Sequence, residues 1–310
     1  MLRTFTGKFL WAIFLTACLN HQVKSQAPVK DFDTADGLAI GLGLALDVGL
    51  RLFKGKEKSI KEFPVNSNFE RIAINNLSLT AKKHSDIILR GISPAISVGS
   101  HFVYDDPKRT IYLGLETIIL TDVANLLAKK LLQRPRPFTY NPEVIHNQTS
   151  CRAYNKNKPD ANFSFYSGHT AHVASVIFFT NSMLWLYKPE YRSKDWAWIA
   201  SGLIPALVGY QRVMAGKHFP TDVFAGYLAG AAIGYLIPVI HENNEYDSDL
   251  TEDFLLGMGV GMAAQYALIK ILGNRKVVQH DCATSTSRVK WQLSPVLGPY
   301  SGLRLSLHLE

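Results

Sequence analysis

The stretch GYQRVMAGKHFPTDVFAG, residues 209–226, sets Arg212, His218 and Asp222 among residues apolar enough to be buried. Arg212 closes one apolar segment, and Pro220 opens the next, because proline is favoured at the first position of a helix. We therefore predict that His218 lies in a tight connection between two helices. Asp222 would hold one ring nitrogen of His218 and leave the other free, although such a pair is ordinarily only a structural hydrogen bond.

Seven apolar segments organise the chain, each about as long as a core helix or a short membrane span. They cover residues 38–53, 87–104, 110–132, 170–187, 196–213, 222–240 and 254–272. Small residues recur within them, as in AGYLAGAAIGYLIPVI, and small residues allow helices to pack closely. The pattern predicts an all-α fold, a bundle of about six core helices that is expected to be transmembrane.

The C-terminal segment follows a different pattern. Leu303, Leu305, Leu307 and Leu309 alternate with polar residues, and this period of two is typical of a β-strand. The stretch VKWQLSP lies across a turn at GPYSG, so the two could pair. We predict a short C-terminal strand or hairpin.

The N-terminus has the layout of a secretory signal peptide, with Arg3 and Lys8 ahead of an apolar run. Cleavage after Ser25 is one interpretation, a lipoprotein site at Cys18 is another, and an uncleaved first helix is a third. The expected division is a signal peptide at 1–25, an extracytoplasmic segment with an apolar helix at 26–84, a helical bundle at 85–273 and a β-like tail at 274–310. Cys151 and Cys282 are candidates for a disulfide bond in an oxidising compartment.

Composition and charge narrow the class of partner. The 310 residues are 47% hydrophobic and 19% charged, which is enough apolar material for one sizeable core. The net charge of +8 suits acidic surfaces such as phospholipid head groups or nucleic acid and does not choose between them. The sequence has no zinc-type Cys/His spacing, GxGxxG motif or GxxxxGK[ST] motif.

Two further polar clusters stand at ends of apolar segments. Lys129 and Arg136, followed by Pro137, close the segment 110–132 in a K-x6-R-P pattern. Cations at a helix end are commonly partners of its last carbonyl groups. Ser167, Gly168 and His169 precede the segment 170–187, where serine usually caps a helix but a Ser-Gly pair can also bind phosphate. Three such clusters at three helix ends indicate a common anion site.

The combination K-x6-R-P, S-G-H and R-x5-H-x3-D resembles the three-part signature of the type 2 phosphatidic acid phosphatase and vanadium haloperoxidase superfamily. The resemblance covers roughly residues 85 to 242. Tyr166 stands where the family usually has proline, and Gln211 stands where it usually has serine. Neither departure removes a charged or nucleophilic group, but Gln211 places the substrate preference in doubt.

The resemblance implies a catalytic role for each charged motif residue. His218 would attack phosphorus with Asp222 fixing its tautomer, while His169 would protonate the leaving group and then activate water. The phosphate would be bound by Lys129, Arg136, Ser167, Gly168 and Arg212. Because these cations can neutralise the phosphoryl oxygens, no metal or other cofactor is expected.

A parity count places this site on the outer face of a membrane if the signal peptide is removed. The turns YDDPKRT and YKPEYRSKDW would then face the cytoplasm and carry the excess of lysine and arginine expected there. The interpretation is a bacterial inner-membrane phosphatase, facing the periplasm, that acts on a lipid phosphate or pyrophosphate. Candidate substrates are phosphatidic acid, phosphatidylglycerol phosphate, a polyprenyl pyrophosphate and a lipid A phosphate, and no nucleic-acid partner is expected.

Two alternatives stay open. The mean hydropathy of +0.03 and the charges of Arg90, Glu116 and Asp122 within apolar segments suit a soluble periplasmic non-specific acid phosphatase. A vanadium-dependent haloperoxidase would use the same pocket, because vanadate mimics a phosphorane.

Overall fold

Eight helices longer than one turn and one hairpin form the framework of the part of the chain that the structure describes. The computed structural model describes residues 34–52, 65, 67–96, 107–146, 152–188, 195–241, 248–273, 289–296 and 302–309. Within these ranges the helices are α1 Thr34–Leu52, α2 Asn68–Ile74, α3 Leu79–Ile87, α4 Pro107–Leu132, α5 Gly168–Tyr187, α6 Asp195–Met214, α7 Pro220–His241 and α8 Ser248–Leu272. A π-helical turn, Ile88–Ile92, continues α3, and short turns at Pro137–Tyr140, Pro142–Ile145, Arg152–Tyr154 and Pro159–Asn162 lie between α4 and α5. The predicted all-α bundle is confirmed.

A row of glycines lets α5 and α7 pack closely. Gly226, Gly230 and Gly234 recur every four residues along one face of α7. Gly230 and Gly234 lie against the backbone of α5, and Gly226 lies against Ser167, which immediately precedes α5. A Cβ atom on Gly230 would lie only 2.1 Å from the backbone oxygen of Ala171, so no larger residue fits there without moving a helix. This packing aligns the first turns of α5 and α7 side by side, where two of the polar clusters lie.

An aromatic core holds the other side of the bundle. Phe178 of α5 packs against Trp198, Tyr227 and Phe254, which come from α6, α7 and α8. The ring of Phe178 is fully buried, as is that of Tyr227. Since burying an aromatic side chain stabilises a fold by about 1.5–3 kcal/mol, this cluster is a main source of cohesion among the four C-terminal helices.

Helices α2 and α3 lie in the mostly polar stretch between the apolar segments 38–53 and 87–104. Ser67 caps α2 by accepting a hydrogen bond from the N–H of Glu70 at 3.2 Å, and Ser78 caps α3 by accepting one from Ala81 at 3.1 Å. α3 crosses the expected boundary at residue 84 and packs on α6. The bundle therefore receives polar residues from a segment that the pattern of apolar residues did not assign to it.

Three helices are long and apolar enough to cross a membrane among the residues that the structure describes. They fall within Lys108–Tyr140, Pro220–His241 and Asp249–Leu272. Only 22% of the most apolar window of Asp249–Leu272 is buried inside the protein, so most of that helix faces outward. Leu255 and Ile271 are 51% and 68% exposed there, and Leu131 of α4 is 78% exposed. Outward apolar faces of this length are the pattern expected of helices in contact with lipid.

The C-terminal hairpin is confirmed. β1 Val289–Val296 pairs antiparallel with β2 Gly302–Leu309, with Lys290 opposite His308. The predicted signal peptide at 1–25 and both candidate disulfide cysteines, Cys151 and Cys282, lie outside the described residues.

Candidate active site

The three polar clusters of the sequence meet where helices end. α4 ends at Leu132 shortly before Arg136, α5 begins at Gly168, and the turn between α6 and α7 holds His218. Arg136 Nη1 lies 3.4 Å from His218 Nε2, although the two residues are 82 positions apart in the chain. Folding therefore brings the first and third clusters into contact.

Gly168 joins the second cluster to the first. A Cβ atom on Gly168 would lie 2.8 Å from Asn125 Oδ1 and 3.4 Å from Lys129 Nζ. Only glycine leaves room for the lysine ammonium this close to the start of α5, where free backbone N–H groups attract anions. Ser167 is fully buried, and its hydroxyl accepts a hydrogen bond from Thr170 Oγ1 at 3.0 Å. Lys129, Ser167 and Gly168 thus lie together at the positive end of one helix.

The ring of His218 is buried and held in one tautomer. Its Nδ1 lies 2.6 Å from the carbonyl oxygen of Ser164, an acceptor, so Nδ1 carries the proton. Burial and the positive charges of Arg136, Arg212 and Lys129 hold the pKa of His218 well below its ordinary value. The imidazole is therefore neutral at pH 7 and presents the lone pair of Nε2 toward Arg136.

Asp222 has partners other than the ring that the sequence suggested. Its Oδ2 accepts hydrogen bonds from Ser164 Oγ at 2.5 Å and from the N–H of Phe219 at 2.9 Å. The physical reason is position: Asp222 is the third residue of α7, and a carboxylate there reaches back to the N–H before the helix. The expected direct bond to His218 is replaced by a link through Ser164, whose hydroxyl binds Asp222 and whose carbonyl binds the ring.

Arg134 ties this arrangement to α2. It donates from Nη1 to Asp222 Oδ1 at 2.6 Å and from Nη2 to Glu70 Oε2 at 2.9 Å. Its guanidinium also lies 4.2 Å from the ring centre of Phe219. Both carboxylates are largely buried, so the positive charge of Arg134 compensates their negative charges. Arg134 does this beside the site.

His169 pairs with a carboxylate that the sequence did not indicate. Its Nε2 lies 2.8 Å from Asp86 Oδ1 on α3, and the same oxygen lies 3.5 Å from Arg212 Nη1. Arg212 Nη1 also donates to Ser85 Oγ at 3.3 Å. The only signal in the sequence is the polar run KKHSD immediately before an apolar one, which by itself indicates no more than a helix surface.

Arg136 is fixed by contacts on the side away from His218. It donates from Nη2 to Asp160 Oδ1 at 2.6 Å, from Nε to the backbone oxygen of Asp160 at 2.8 Å, and from Nη1 to that of Lys217 at 3.1 Å. Burial raises the pKa of Asp160, but the charge and hydrogen bond of Arg136, together with the charges of Lys217 and Lys129, outweigh burial and keep the pKa below its ordinary value. An ionised Asp160 thus helps to orient a guanidinium that is only 5% exposed.

One buried donor at the site lacks a partner in the part of the chain that the structure describes. Arg212 is 4% exposed, yet its Nε makes no hydrogen bond there. Burying an unpaired charged donor is costly, so this atom fits an anionic ligand that supplies an oxygen. Gln211 Oε1, at one of the two positions that depart from the family pattern, is also buried without a hydrogen-bond partner among described residues.

Comparisons with known proteins match the part of the chain that carries the three polar clusters. Residues 111–246 match the PAP2 superfamily model. An undecaprenyl-diphosphatase of Sulfolobus acidocaldarius is 32% identical over 133 residues, which make up 42% of this chain and 55% of the relative. A lipid A 4'-phosphatase of Porphyromonas gingivalis is 28% identical over 123 residues, which make up 40% of this chain and 47% of the relative. The chain thus spans about half the length of these curated relatives.

A solved structure is also similar to the chain. The crystal structure of a transmembrane PAP2 type phosphatidylglycerolphosphate phosphatase from Bacillus subtilis aligns with 77% of this chain and 95% of its own. The two share 19% sequence identity, and the TM-score is 0.41.

Proposed function

We propose, from the site geometry and from the match of residues 111–246 to the PAP2 superfamily model, that the chain is a metal-independent phosphatase acting through a phosphohistidine. Its substrate would be a lipid phosphate or pyrophosphate. The observation that carries the proposal is the 3.4 Å approach of Arg136 Nη1 to Nε2 of a buried, neutral His218. An imidazole lone pair beside a guanidinium is suited to attack an anion that the guanidinium binds.

Substrate binding would rest on three cations around the ring. Arg136 and Arg212 can each grip phosphoryl oxygens through a planar fork, and Lys129 adds a mobile point charge. The unpaired Nε of Arg212 and the N–H of Gly168 at the start of α5 would complete the set of donors. Removing one donor from such a preorganised site typically costs about 3–4 kcal/mol of transition-state stabilisation.

In the first chemical step, His218 Nε2 would form a bond to phosphorus as the bond from phosphorus to the leaving oxygen breaks. His169 would give its proton to that oxygen. His218 would become positively charged, and the hydrogen bond from Nδ1 to Ser164 O would share that charge. Asp222 would act on His218 indirectly, by accepting a hydrogen bond from the hydroxyl of Ser164.

In the second step, water would displace the phosphoryl group from His218. His169, now neutral, would take the proton of the attacking water and so return to its starting form. Inorganic phosphate leaves, and the lone pair of His218 Nε2 is restored. One histidine thus serves as nucleophile and the other as acid and then base.

The helices that carry the site favour a substrate with a lipid tail. Lys129 lies in the last turn of α4, and Asp222 lies in the first turn of α7, each at one end of a helix that is long and apolar enough to span a membrane. A site at such helix ends would lie at head-group depth. We propose that it faces the periplasm from a bacterial inner membrane, because two of the loops at the other helix ends, YDDPKRT and YKPEYRSKDW, carry lysine and arginine.

A panel of phosphate esters tests the proposal. The full chain in detergent micelles would be assayed for inorganic phosphate from phosphatidic acid, phosphatidylglycerol phosphate, a polyprenyl pyrophosphate, lipid A and p-nitrophenyl phosphate. His218→Ala is the matched negative control. We expect release from at least one lipid substrate and none above background with the variant. Equal release by wild type and variant would refute the phosphatase assignment.

A further inference from the structure

Asp86 reaches the site from α3, a helix that lies outside all three sequence motifs. Its Oδ1 is 2.8 Å from His169 Nε2, while His169 itself is the second residue of α5. The side chains of the two residues are similarly buried, with 21% and 22% of their surface exposed. A carboxylate this close to a histidine fixes which ring nitrogen holds the proton.

The carboxylate of Asp86 is itself held and charged. Lys82, one turn earlier on α3, lies 2.6 Å from Oδ2, and Arg212 Nη1 lies 3.5 Å from Oδ1. Burial raises the pKa of Asp86, but the hydrogen bonds with His169 and Lys82 outweigh burial and keep the pKa below its ordinary value. Asp86 is therefore ionised at neutral pH and can accept a hydrogen bond from His169 Nε2.

The surroundings of His169 explain why this anion matters. Burial and the positive charges of Arg212 and Arg136 lower the pKa of His169 to about 3 in the protein without substrate, and Asp86 acts in the opposite direction. Lys82 lies behind Asp86 and partly offsets its charge. A neutral His169 has no spare proton for a leaving group, so the acid would need a negative partner close to the ring.

We propose that Asp86 is a positioning residue for His169, forming a carboxylate–imidazole pair that supplies the proton for the leaving oxygen. This inference rests on the proposed phosphatase function. Nε2–H would stay bonded to Asp86 throughout, and Nδ1 would give its proton to the leaving oxygen and later take one from water. The bound phosphate, which is also anionic, would add to the effect of Asp86 by favouring the protonated ring.

The chain supplies a matched control elsewhere in the bundle. Glu116 lies 3.3 Å from His241, and the side chains of these two residues are 20% and 21% exposed, much like those of Asp86 and His169. Glu116→Gln therefore removes a carboxylate charge from a histidine pair of similar burial. Because Glu116 lies 13 residues before Lys129 on α4, and His241 is the last residue of α7, this pair is remote from the site and Glu116→Gln should leave catalysis unchanged.

The test compares leaving groups of different basicity. Full-length Asp86→Asn in detergent micelles would be assayed with short-chain phosphatidic acid, whose alkoxide leaving group needs a proton, and with p-nitrophenyl phosphate, whose leaving group does not. We expect kcat to fall about 10–100-fold with the first and less than about threefold with the second. Glu116→Gln should keep both rates. Equal losses on the two substrates, or no loss, would overturn the inference.

Two further comparisons extend the test, and the first applies even if Asp86→Asn folds poorly. Asp86→Glu retains the charge and should retain the wild-type ratio between the two substrates. In a His169→Ala background, Asp86→Asn should cause little further loss. A changed ratio with Asp86→Glu, or an equal loss in both backgrounds, would contradict a role through His169. If wild type releases no more phosphate than His218→Ala, the proposed function fails instead, and the Asp86 inference falls with it.

Discussion

Replacing Gly230 with alanine tests whether the close contact of α5 and α7 holds the site together. A Cβ atom at residue 230 would lie 2.1 Å from the backbone oxygen of Ala171 and 2.8 Å from its Cα. Since ordinary contact begins at 3.4 Å, the two helix backbones would have to separate by about 1 Å. Neither atom belongs to a flexible side chain, so we expect the free energy of unfolding to fall by about 1–3 kcal/mol.

Gly259→Ala is the matched control. It makes the same change on α8, where nothing lies within 4 Å of an added Cβ atom. Because alanine is favoured over glycine within a helix by up to about 1 kcal/mol, this variant should be at least as stable as wild type. Thermal unfolding of the two variants in detergent, followed by circular dichroism, measures the difference.

Gly230→Ala should also reduce the activity of the protein that remains folded. Ala171 follows shortly after His169 on α5, so moving α5 by about 1 Å shifts His169, the proposed acid and base, relative to Arg136 and His218. A misplacement of this size costs about 10²-fold in rate. Phosphate release would be measured well below the unfolding temperature of each variant. If Gly230→Ala unfolds at the same temperature as Gly259→Ala and releases phosphate at the wild-type rate, the reasoning about this helix contact is refuted.

Three other predictions follow from the site and the surface. His169→Ala should slow hydrolysis of alkyl phosphates by about 10²–10⁴-fold and of p-nitrophenyl phosphate much less, whereas equal losses would count against an acid role. Because the pKa of His218 is held below its ordinary value of 6.5, the unfolded chain gains a proton there as the pH falls from about 7 to about 5 while the folded chain does not. The melting temperature of wild type should therefore drop more over that range than that of His218→Gln, and parallel curves would contradict the buried neutral ring. Finally, a carbonate wash of isolated membranes should leave the protein in the pellet, since three helices can span a bilayer, and release into the supernatant would contradict membrane insertion.

The helix framework was largely predictable because apolar length and terminal residues determine it locally. The start of α7 at Pro220 and that of α5 beside Ser167 follow from helix-start preferences that act within a few residues. α2 and α3 were not predicted, because their capping serines stand in a stretch without a long apolar run. Packing against the rest of the bundle stabilises such short helices, and periodicity does not reveal it.

The residues proposed for the site were selected by type and spacing, whereas their hydrogen-bond partners could not be predicted in that way. The sequence indicated Asp222 as the partner of His218, whereas a backbone carbonyl, that of Ser164, binds Nδ1. Any residue can supply a carbonyl, so no side-chain pattern marks it. Asp86 was missed for a related reason, since its contact with His169 joins residues 83 positions apart on helices with no shared motif.

The most direct test of the central claim is to trap the phosphoryl group on the enzyme. His169→Ala would be mixed with p-nitrophenyl phosphate, quenched in alkali during the first turnover, digested and sequenced by mass spectrometry. The account predicts a phosphoryl group on His218, because the variant keeps the nucleophile and loses the base that activates water. A phosphoryl group on another residue, or a burst of p-nitrophenol with no phosphorylated His218, would contradict it.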